Sequence, residues 1–172
     1  DSSGNIALIH NGIIENYETL KQVLIAQGVS FTSDTDTEVL VQLISAFYYN
    51  GESLSFADAV CIALQEIVGA YGIVAVCTDE PETVVAARLG SPLVMGIGEG
   101  EYFLASDASP IVEYTRNVIY LDDGEMVELT ADNHVISEIN SKKIRRLRRR
   151  KTTLAPLRSP HRLRLKKPPY LI

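Results

Sequence analysis

Helical periodicity comes first in this chain, and short apolar strands separated by turn residues follow it. Apolar residues at helical spacing predict helices over 16–27, from Thr35 to the Asn50-Gly51 pair, and over 55–67. From residue 70 onward, β-branched and aromatic runs alternate with Gly, Pro and Asp, a pattern typical of strands. Helices followed by consecutive hairpins indicate an α+β fold with antiparallel sheets rather than a doubly wound fold.

The individual strands follow from the same patterns. A first strand over 6–9 is predicted to end at His10-Asn11-Gly12, because an Asn-Gly pair favours a turn. Asp122-Asp123-Gly124 is a hairpin signal between the strands on either side, and residues 96–100 are expected to form another hairpin turn rather than a phosphate loop. The expected elements are strands at 6–9, 29–31, 71–77, 83–89, 93–97, 102–105, 118–121, 126–129 and 134–136, and a short helix at 107–114.

Composition bounds the class of protein. Apolar residues make up 46% of 172 residues, which is enough for one core and excludes disorder throughout the chain. The sequence contains no apolar run long enough for a membrane span and no secretory signal, so we expect no membrane partner. Two cysteines cannot build a disulfide framework, and the reducing cytoplasm is therefore the expected compartment.

Charge divides the chain into an acidic body (residues 1–140) and a basic tail (residues 141–172). The body holds all 22 acidic residues and three of the 16 basic ones, a balance of −19, whereas the tail holds the other 13 basic residues. Three interpretations of the tail stay open: a nucleic-acid or nuclear-localisation patch, a disordered solvated tail, or a non-native segment from a shifted reading frame or mispredicted exon. The acidic body argues against a nucleic-acid binder beyond non-specific contacts of the tail.

Metal and thiol chemistry are not indicated by the pattern of residues. The three histidines are far apart, and neither Cys-x-x-Cys nor His-x-x-x-His spacing occurs, so no metal or cofactor is expected. Cys61 is expected in a helix and Cys77 at a strand end, and neither has an evident histidine partner. Both thiols are therefore interpreted as structural.

Two segments carry possible chemistry. Residues 10–16, HNGIIEN, form either an Asn-Gly turn or an oxyanion hole, in which the Asn11 carboxamide and the Gly12 backbone N–H stabilise charge on a carbonyl oxygen. Residues 35–39, TDTEV, either cap a helix through Thr35 and Glu38 or anchor the ammonium group of a substrate with a carboxylate. The residues alone leave both alternatives open.

Five blocks in one order resemble class II glutamine amidotransferases. They are HNGIIEN at 10–16, TDTEV at 35–39, GAYG at 69–72, ARLGSPLV at 87–94 and ASD at 105–107. The first and fourth blocks favour the branch of the glutamine–fructose-6-phosphate aminotransferases (isomerizing), also called glucosamine-6-phosphate synthases. The resemblance covers about residues 5–140 and is to their glutaminase domain.

This resemblance implies an N-terminal-nucleophile hydrolase fold, a four-layer αββα sandwich, with L-glutamine as substrate. In the family, an N-terminal cysteine attacks the glutamine amide with its own α-amino group as base, and the ammonia passes to a sugar-phosphate isomerase domain that makes glucosamine 6-phosphate. By residue matching, Asn11 and Gly12 are the oxyanion-hole pair, and Asp36 binds the glutamine α-amino group. His10 borders the site and receives no chemical role. A homo-oligomeric parent protein is compatible with this assignment.

The sequence also departs from the family. Residue 1 is Asp instead of Cys, and neither Cys61 nor Cys77 can supply a free amine beside its thiol. The family's upstream TRWATHG segment is absent, so the body resembles an incomplete glutaminase domain that lacks its first strands and the isomerase domains. We therefore expect no glutaminase activity from this chain alone. The alternatives are a non-catalytic module that binds an amino acid or a protein, and another class II enzyme such as an amidophosphoribosyltransferase.

Overall fold

A computed structural model describes residues 1–49 and 54–140, together with the backbone of residues 152–153. The predicted helix end at Asn50-Gly51 lies outside the described residues, as does the basic tail apart from that short backbone segment. The domain boundary predicted at residue 140 stays a prediction.

Helices occupy the positions that the sequence predicts for them. They are α1 (Tyr17–Ala26), α2 (Asp36–Tyr49) and α3 (Phe56–Glu66). α3 begins with a standard cap, because the Ser55 hydroxyl accepts the Asp58 N–H at 3.1 Å. α1 is followed by Gly28 at φ +91°, a conformation that favours glycine and ends the helix. No strand forms at 29–31, where the sequence predicts one.

The strands form two antiparallel sheets. In chain order they are β1 (Ile6–Ile14), β2 (Gly69–Cys77), β3 (Val84–Leu89), β4 (Val94–Ile97), β5 (Tyr102–Ala105), β6 (Asn117–Tyr120), β7 (Glu125–Leu129), β8 (His134–Glu138) and β9 (Thr152–Thr153). Sheet A has the order β1-β2-β3-β7-β8, and sheet B the order β5-β4-β6-β9. The predicted α+β class with antiparallel sheets is confirmed, as is the hairpin turn between β4 and β5, where the Gly98 N–H bonds the Glu101 carbonyl at 2.9 Å.

Three further local predictions are wrong. β1 does not end at His10-Asn11-Gly12 but continues in register with β2 to Ile14, because pairing across the sheet overrides the turn preference of Asn-Gly. Asp122-Asp123-Gly124 does not close a hairpin, since β6 belongs to sheet B and β7 to sheet A. Residues 107–114 form successive turns in place of the expected short helix.

The core is layered. Phe56, Leu40 and Ile44 are fully buried between the helices and one face of sheet A. Met95 and Val127 lie in a second cluster between the two sheets. A third, smaller cluster packs Ile111 of the turn segment against the outer face of sheet B, beside Val94 and Val118. The order helix, sheet, sheet matches three layers of the predicted αββα sandwich, and turns cover the fourth position in the described residues.

Candidate functional site

β1 is the end strand of sheet A in the described part of the chain, so one side of its backbone is unpaired. The ladder to β2 is flanked by hydrogen bonds from the Glu15 N–H to the Val68 carbonyl (2.8 Å) and from the Thr78 N–H to the Asn5 carbonyl (2.9 Å). Bonded and non-bonded pairs alternate along an antiparallel ladder, and the register contains no bulge. Odd-numbered residues of β1 therefore bond β2, and the Gly12 N–H points away from the sheet.

Gly12 fits its position because it has no side chain. Its φ is +143°, a region that L side chains rarely adopt. A Cβ atom built on Gly12 would overlap the carbonyl group of Ala70 on β2. The close approach of the two strands thus requires glycine here and leaves the outward N–H of residue 12 unobstructed by a side chain, as an oxyanion-hole donor needs to be.

Asn11 lies on the opposite face of β1 from the helices, in a groove between the two sheets of about 190 Å³. Gly72, Pro92 and Ser106 line the same groove. Four of the five blocks that carry the family resemblance therefore meet in one place, although they are not adjacent in the chain. The rest of the lining is mostly apolar: Ile9, Ile73, Val74, Leu93, Leu104 and Ala105.

Asp36, from the remaining block, also contacts β1. Its Oδ2 atom accepts the outward N–H of Ile14 at 2.9 Å, and Thr37 Oγ1 donates to its Oδ1 at 3.4 Å. Capping of α2 is performed instead by Thr35, whose hydroxyl accepts the Glu38 N–H at 3.2 Å. The Asp36 side chain is 23% exposed, so the carboxylate is held at the strand edge and still accessible to a cationic ligand.

His10 lies beside that carboxylate. Its side chain is only 2% exposed, and Nδ1 is 3.1 Å from Thr37 Oγ1 and 3.7 Å from Asp36 Oδ1. Burial lowers the pKa of His10, and the charge of Asp36 offsets part of that effect. The imidazole is therefore neutral at neutral pH. Its Nε2 atom is buried and has no hydrogen-bond partner among the described residues.

The predicted site residues are thus near one another at the C-terminal end of β1, but they do not line one cavity. Asn11 faces the intersheet groove, whereas His10 and Asp36 lie on the helix-facing side of the strand. The Gly12 N–H lies at the edge between the two sides. The arrangement offers two neutral donors for a developing oxyanion and, two residues further along the edge, a carboxylate for an ammonium group.

The thiols are remote from these groups. Cys61 is buried in α3 with its Sγ atom 3.6 Å from the Ile139 carbonyl, and burial raises the pKa of its thiol. Cys77 is buried at the end of β2. In the described residues no group of three or more His, Cys, Asp or Glu side chains is placed to hold a metal ion, and no helix is long and apolar enough to cross a membrane.

Asn16, the last residue of the first block, has a role that the sequence pattern did not indicate. Its carboxamide donates to the Glu66 carbonyl and accepts the Val68 N–H, both at 2.9 Å. These bonds attach the turn after β1 to the α3–β2 connection, and so fix the strand end that carries Gly12. The sequence does show an Asn just before a helix, but that pattern by itself predicts only a helix cap. The Asn16 side chain makes no such cap to α1.

Comparison with known proteins gives a family match and close relatives. Residues 1–113 match the family described as glutamine amidotransferase domain. The chain is 55% identical over 139 residues to the glutamine–fructose-6-phosphate aminotransferase (isomerizing) of Chlorobaculum tepidum, covering 81% of this chain and 23% of that protein. To the enzyme of the same name from Bacteroides thetaiotaomicron, the chain is 57% identical over 125 residues, which cover 73% of this chain and 20% of that protein.

A solved structure shows the same fold at lower identity. It is the glutamine phosphoribosylpyrophosphate amidotransferase of B. subtilis complexed with ADP and GMP, with a TM-score of 0.67 and 26% identity. The match covers 84% of this chain and 31% of that one. This chain therefore spans less than a quarter of the length of the two curated relatives, and less than a third of this solved chain.

Proposed function

Because the chain belongs to the glutamine amidotransferase domain family, we propose that residues 1–140 are part of the glutamine-hydrolysing domain of an isomerizing aminotransferase. Such an enzyme moves the amide nitrogen of L-glutamine to fructose 6-phosphate and yields glucosamine 6-phosphate and glutamate. The observation that carries this proposal is the 55% identity to an enzyme of that name, against 26% to the phosphoribosylpyrophosphate amidotransferase. The sugar-phosphate isomerase domain of the parent protein would then be the natural partner of the acidic body.

The geometry at β1 supports each role that the resemblance implies. The Asn11 carboxamide and the outward Gly12 N–H would donate to the oxygen of the glutamine side-chain amide as it becomes negatively charged. Loss of one such donor typically costs an enzyme about 3 kcal/mol of transition-state stabilisation. Asp36 would accept hydrogen bonds from the glutamine α-ammonium group, because its carboxylate is anchored by the Ile14 N–H and the Thr37 hydroxyl and is still partly exposed.

Hydrolysis needs a nucleophile as well, and the 172 residues contain only Cys61 and Cys77 as thiols. Both are buried, and the raised pKa of Cys61 disfavours its reactive thiolate. The chain is therefore proposed to contribute the oxyanion and ammonium sites, and to release no ammonia from glutamine when it is alone.

The test compares Asp36→Asn with Asp34→Asn, a matched change at an exposed carboxylate that pairs with Lys21 instead. L-glutamine binding to the full chain is measured by calorimetry or by NMR titration. We expect Asp36→Asn to raise the Kd at least tenfold, since a charged hydrogen bond to the ammonium is lost, and Asp34→Asn to leave it within twofold. Equal affinities of the two variants, or ammonia release by the chain alone, would contradict the proposal.

A further inference from the structure

Three side chains form a connected series of polar contacts behind the strand edge. His10 Nδ1 is 3.1 Å from Thr37 Oγ1, and Thr37 Oγ1 donates to Asp36 Oδ1 at 3.4 Å. The other oxygen of Asp36 is fixed by the Ile14 N–H at 2.9 Å. The carboxylate is therefore held at both oxygens, once by the backbone of β1 and once by the Thr37 hydroxyl.

We propose that His10 is a positioning residue, which acts through the Thr37 hydroxyl to fix the orientation of the Asp36 carboxylate at the edge of β1. The inference deepens the proposed function and rests on it in one respect: the oriented carboxylate is the one assigned to the ammonium group of L-glutamine. The His10 side chain is buried, and its polar contacts run to Thr37 and Asp36.

The proton arrangement follows from counting donors. A threonine hydroxyl has one proton, and in the proposed arrangement Thr37 donates it to Asp36. Thr37 Oγ1 then accepts from His10, and the proposal therefore requires the ring proton on Nδ1. The other tautomer would place an N–H on Nε2, which is buried without a partner among the described residues, and would draw the Thr37 proton away from Asp36.

Burial keeps this arrangement in place. The lowered pKa of His10 leaves the ring neutral, and a neutral ring has one donor nitrogen and one acceptor nitrogen. The strand supports the geometry too, because residues 10 and 14 of β1 have side chains on one face and outward N–H groups on one edge. The same strand thus presents both the imidazole and the amide that hold the carboxylate.

The experiment uses the full 172-residue chain, labelled with ¹⁵N, and two variants of Thr37. Thr37→Val removes the hydroxyl at nearly constant volume, whereas Thr37→Ser keeps it. Thr19→Val, an exposed threonine in the first turn of α1, is the matched control for threonine-to-valine replacement in a helix. The His10 ring nitrogens report the tautomer, and amide exchange of Ile14 reports how firmly Asp36 is held.

We expect the Nδ1–H tautomer in the natural chain, in Thr37→Ser and in Thr19→Val. Thr37→Val should shift the ring signals toward a mixture of tautomers and speed the exchange of the Ile14 amide several-fold. A role of His10 in packing alone would move neither signal. An Nε2–H tautomer in the natural chain, or an Ile14 amide that Thr37→Val leaves unchanged, overturns the inference.

L-glutamine titrations of the same variants separate this inference from the proposed function. We expect Thr37→Val to raise the Kd of L-glutamine three- to tenfold and Thr37→Ser to change it less than twofold. If Asp36→Asn abolishes binding while Thr37→Val has no effect, positioning by His10 is refuted and the proposed function stands. If Asp36→Asn has no effect on L-glutamine while the ring and amide signals change as expected, the orienting contact is supported and the proposed function fails.

Discussion

Gly12 has a backbone requirement that the other residues of β1 do not share. Its φ of +143° disfavours any side chain, and the carbonyl of Ala70 occupies the space that a Cβ atom would need. Gly28 offers a comparison within the same protein: its φ is also positive, at +91°, but no atom beyond its chain neighbours lies within 4 Å of the position of its missing Cβ. Substitutions at Gly12 and at Gly28 can therefore separate the cost of backbone strain from the cost of steric overlap.

We therefore expect Gly12→Ala to lower the free energy of unfolding more than Gly28→Ala does. Strain alone should cost Gly28→Ala about 1 kcal/mol, whereas Gly12→Ala also forces β1 and β2 apart and should lose about 2–4 kcal/mol. Urea unfolding followed by circular dichroism measures both. Equal losses would show that the strands can separate at no cost, and that the Gly12 N–H is not held in place by the approach of Ala70.

At the scale of elements, α2 is attached to the preceding loop by one carboxylate. Glu38 accepts the N–H groups of Thr32 and Ser33 at 2.8 and 2.6 Å, and both hydroxyls as well. Chiefly through the Ser33 hydroxyl, these bonds lower the pKa of Glu38 to about 2. Because the folded-state pKa lies below that of the unfolded chain, the stabilisation is complete above about pH 4.5 and is lost as the pH falls toward 2.

The expected result for Glu38→Gln is a protein that is less stable at neutral pH, by about 1 kcal/mol after solvent screening of this exposed group, and less sensitive to acid. The difference in unfolding free energy between natural chain and variant should shrink between pH 4.5 and 2. Glu82→Gln, at an exposed carboxylate on the loop before β3, serves as the control and should show no such convergence. Parallel pH profiles for Glu38→Gln and the natural chain would disprove the role of this loop contact.

The connection from sheet B back to sheet A is held by Arg88 of β3. Its guanidinium donates to the Leu121 carbonyl at 3.1 Å and to Asp123 Oδ1 at 2.6 Å. The same Asp123 oxygen accepts the Gly90 N–H at 2.8 Å. The Asp-Asp-Gly segment thus crosses between the sheets while Asp123 is bound to Arg88 and Gly90.

Replacing Arg88 by Gln should therefore destabilise the chain by about 1–2 kcal/mol, since the Leu121 carbonyl and Asp123 lose a charged donor. Arg116→Gln removes the same charge from an exposed position of the acidic body and should change stability by less than about 0.5 kcal/mol. Thermal unfolding of both variants at one ionic strength makes the comparison. A similar loss of stability in both variants would mean that the net charge, and not the contacts of Arg88, determines the effect.

Sequence patterns predict elements whose signals are local. The helices were found because caps and apolar spacing lie within each segment, as at Ser55. The predicted capping box at α2 is half right: Thr35 caps the helix, but Glu38 bonds Thr32 and Ser33 instead of the Thr35 N–H. The hairpin at 122–124 could not be rejected locally, because the same turn residues serve a hairpin or a crossing between sheets.

At the scale of the whole molecule, the candidate site depends on contacts between distant parts of the chain. Gly12 pairs with Tyr71, and Asn11 shares a groove with Pro92 and Ser106. No periodicity in the sequence indicates such pairings, so the residues alone left each block ambiguous between a turn or cap and a binding group. The order of the five blocks pointed to one family, whereas the orientation of Asp36 toward Ile14 emerges only from the packing of α2 on β1.

The face of β1 away from the helices exposes two large apolar side chains beside the unpaired strand edge. Ile9 is 55% exposed and Ile13 is 68% exposed, and they flank Asn11 at alternate positions of the strand. An apolar face next to a strand edge that no other described strand pairs with favours pairing with another strand, so this chain is expected to self-associate as its concentration rises. Lysines at both positions should suppress that association, because burying their charges against a second copy is unfavourable.

Sedimentation velocity over a range of concentrations tests this expectation. The double variant Ile9→Lys and Ile13→Lys should sediment as a monomer where the natural chain does not. Val23→Lys with Ile25→Lys adds the same two charges to α1, at side chains that are 50% and 46% exposed, and should leave the association unchanged. Because both variants have the same net charge, a difference between them locates the association at β1 rather than in general charge repulsion. A natural chain that is monomeric at every concentration, or equal suppression by both variants, would show that this face has no such role.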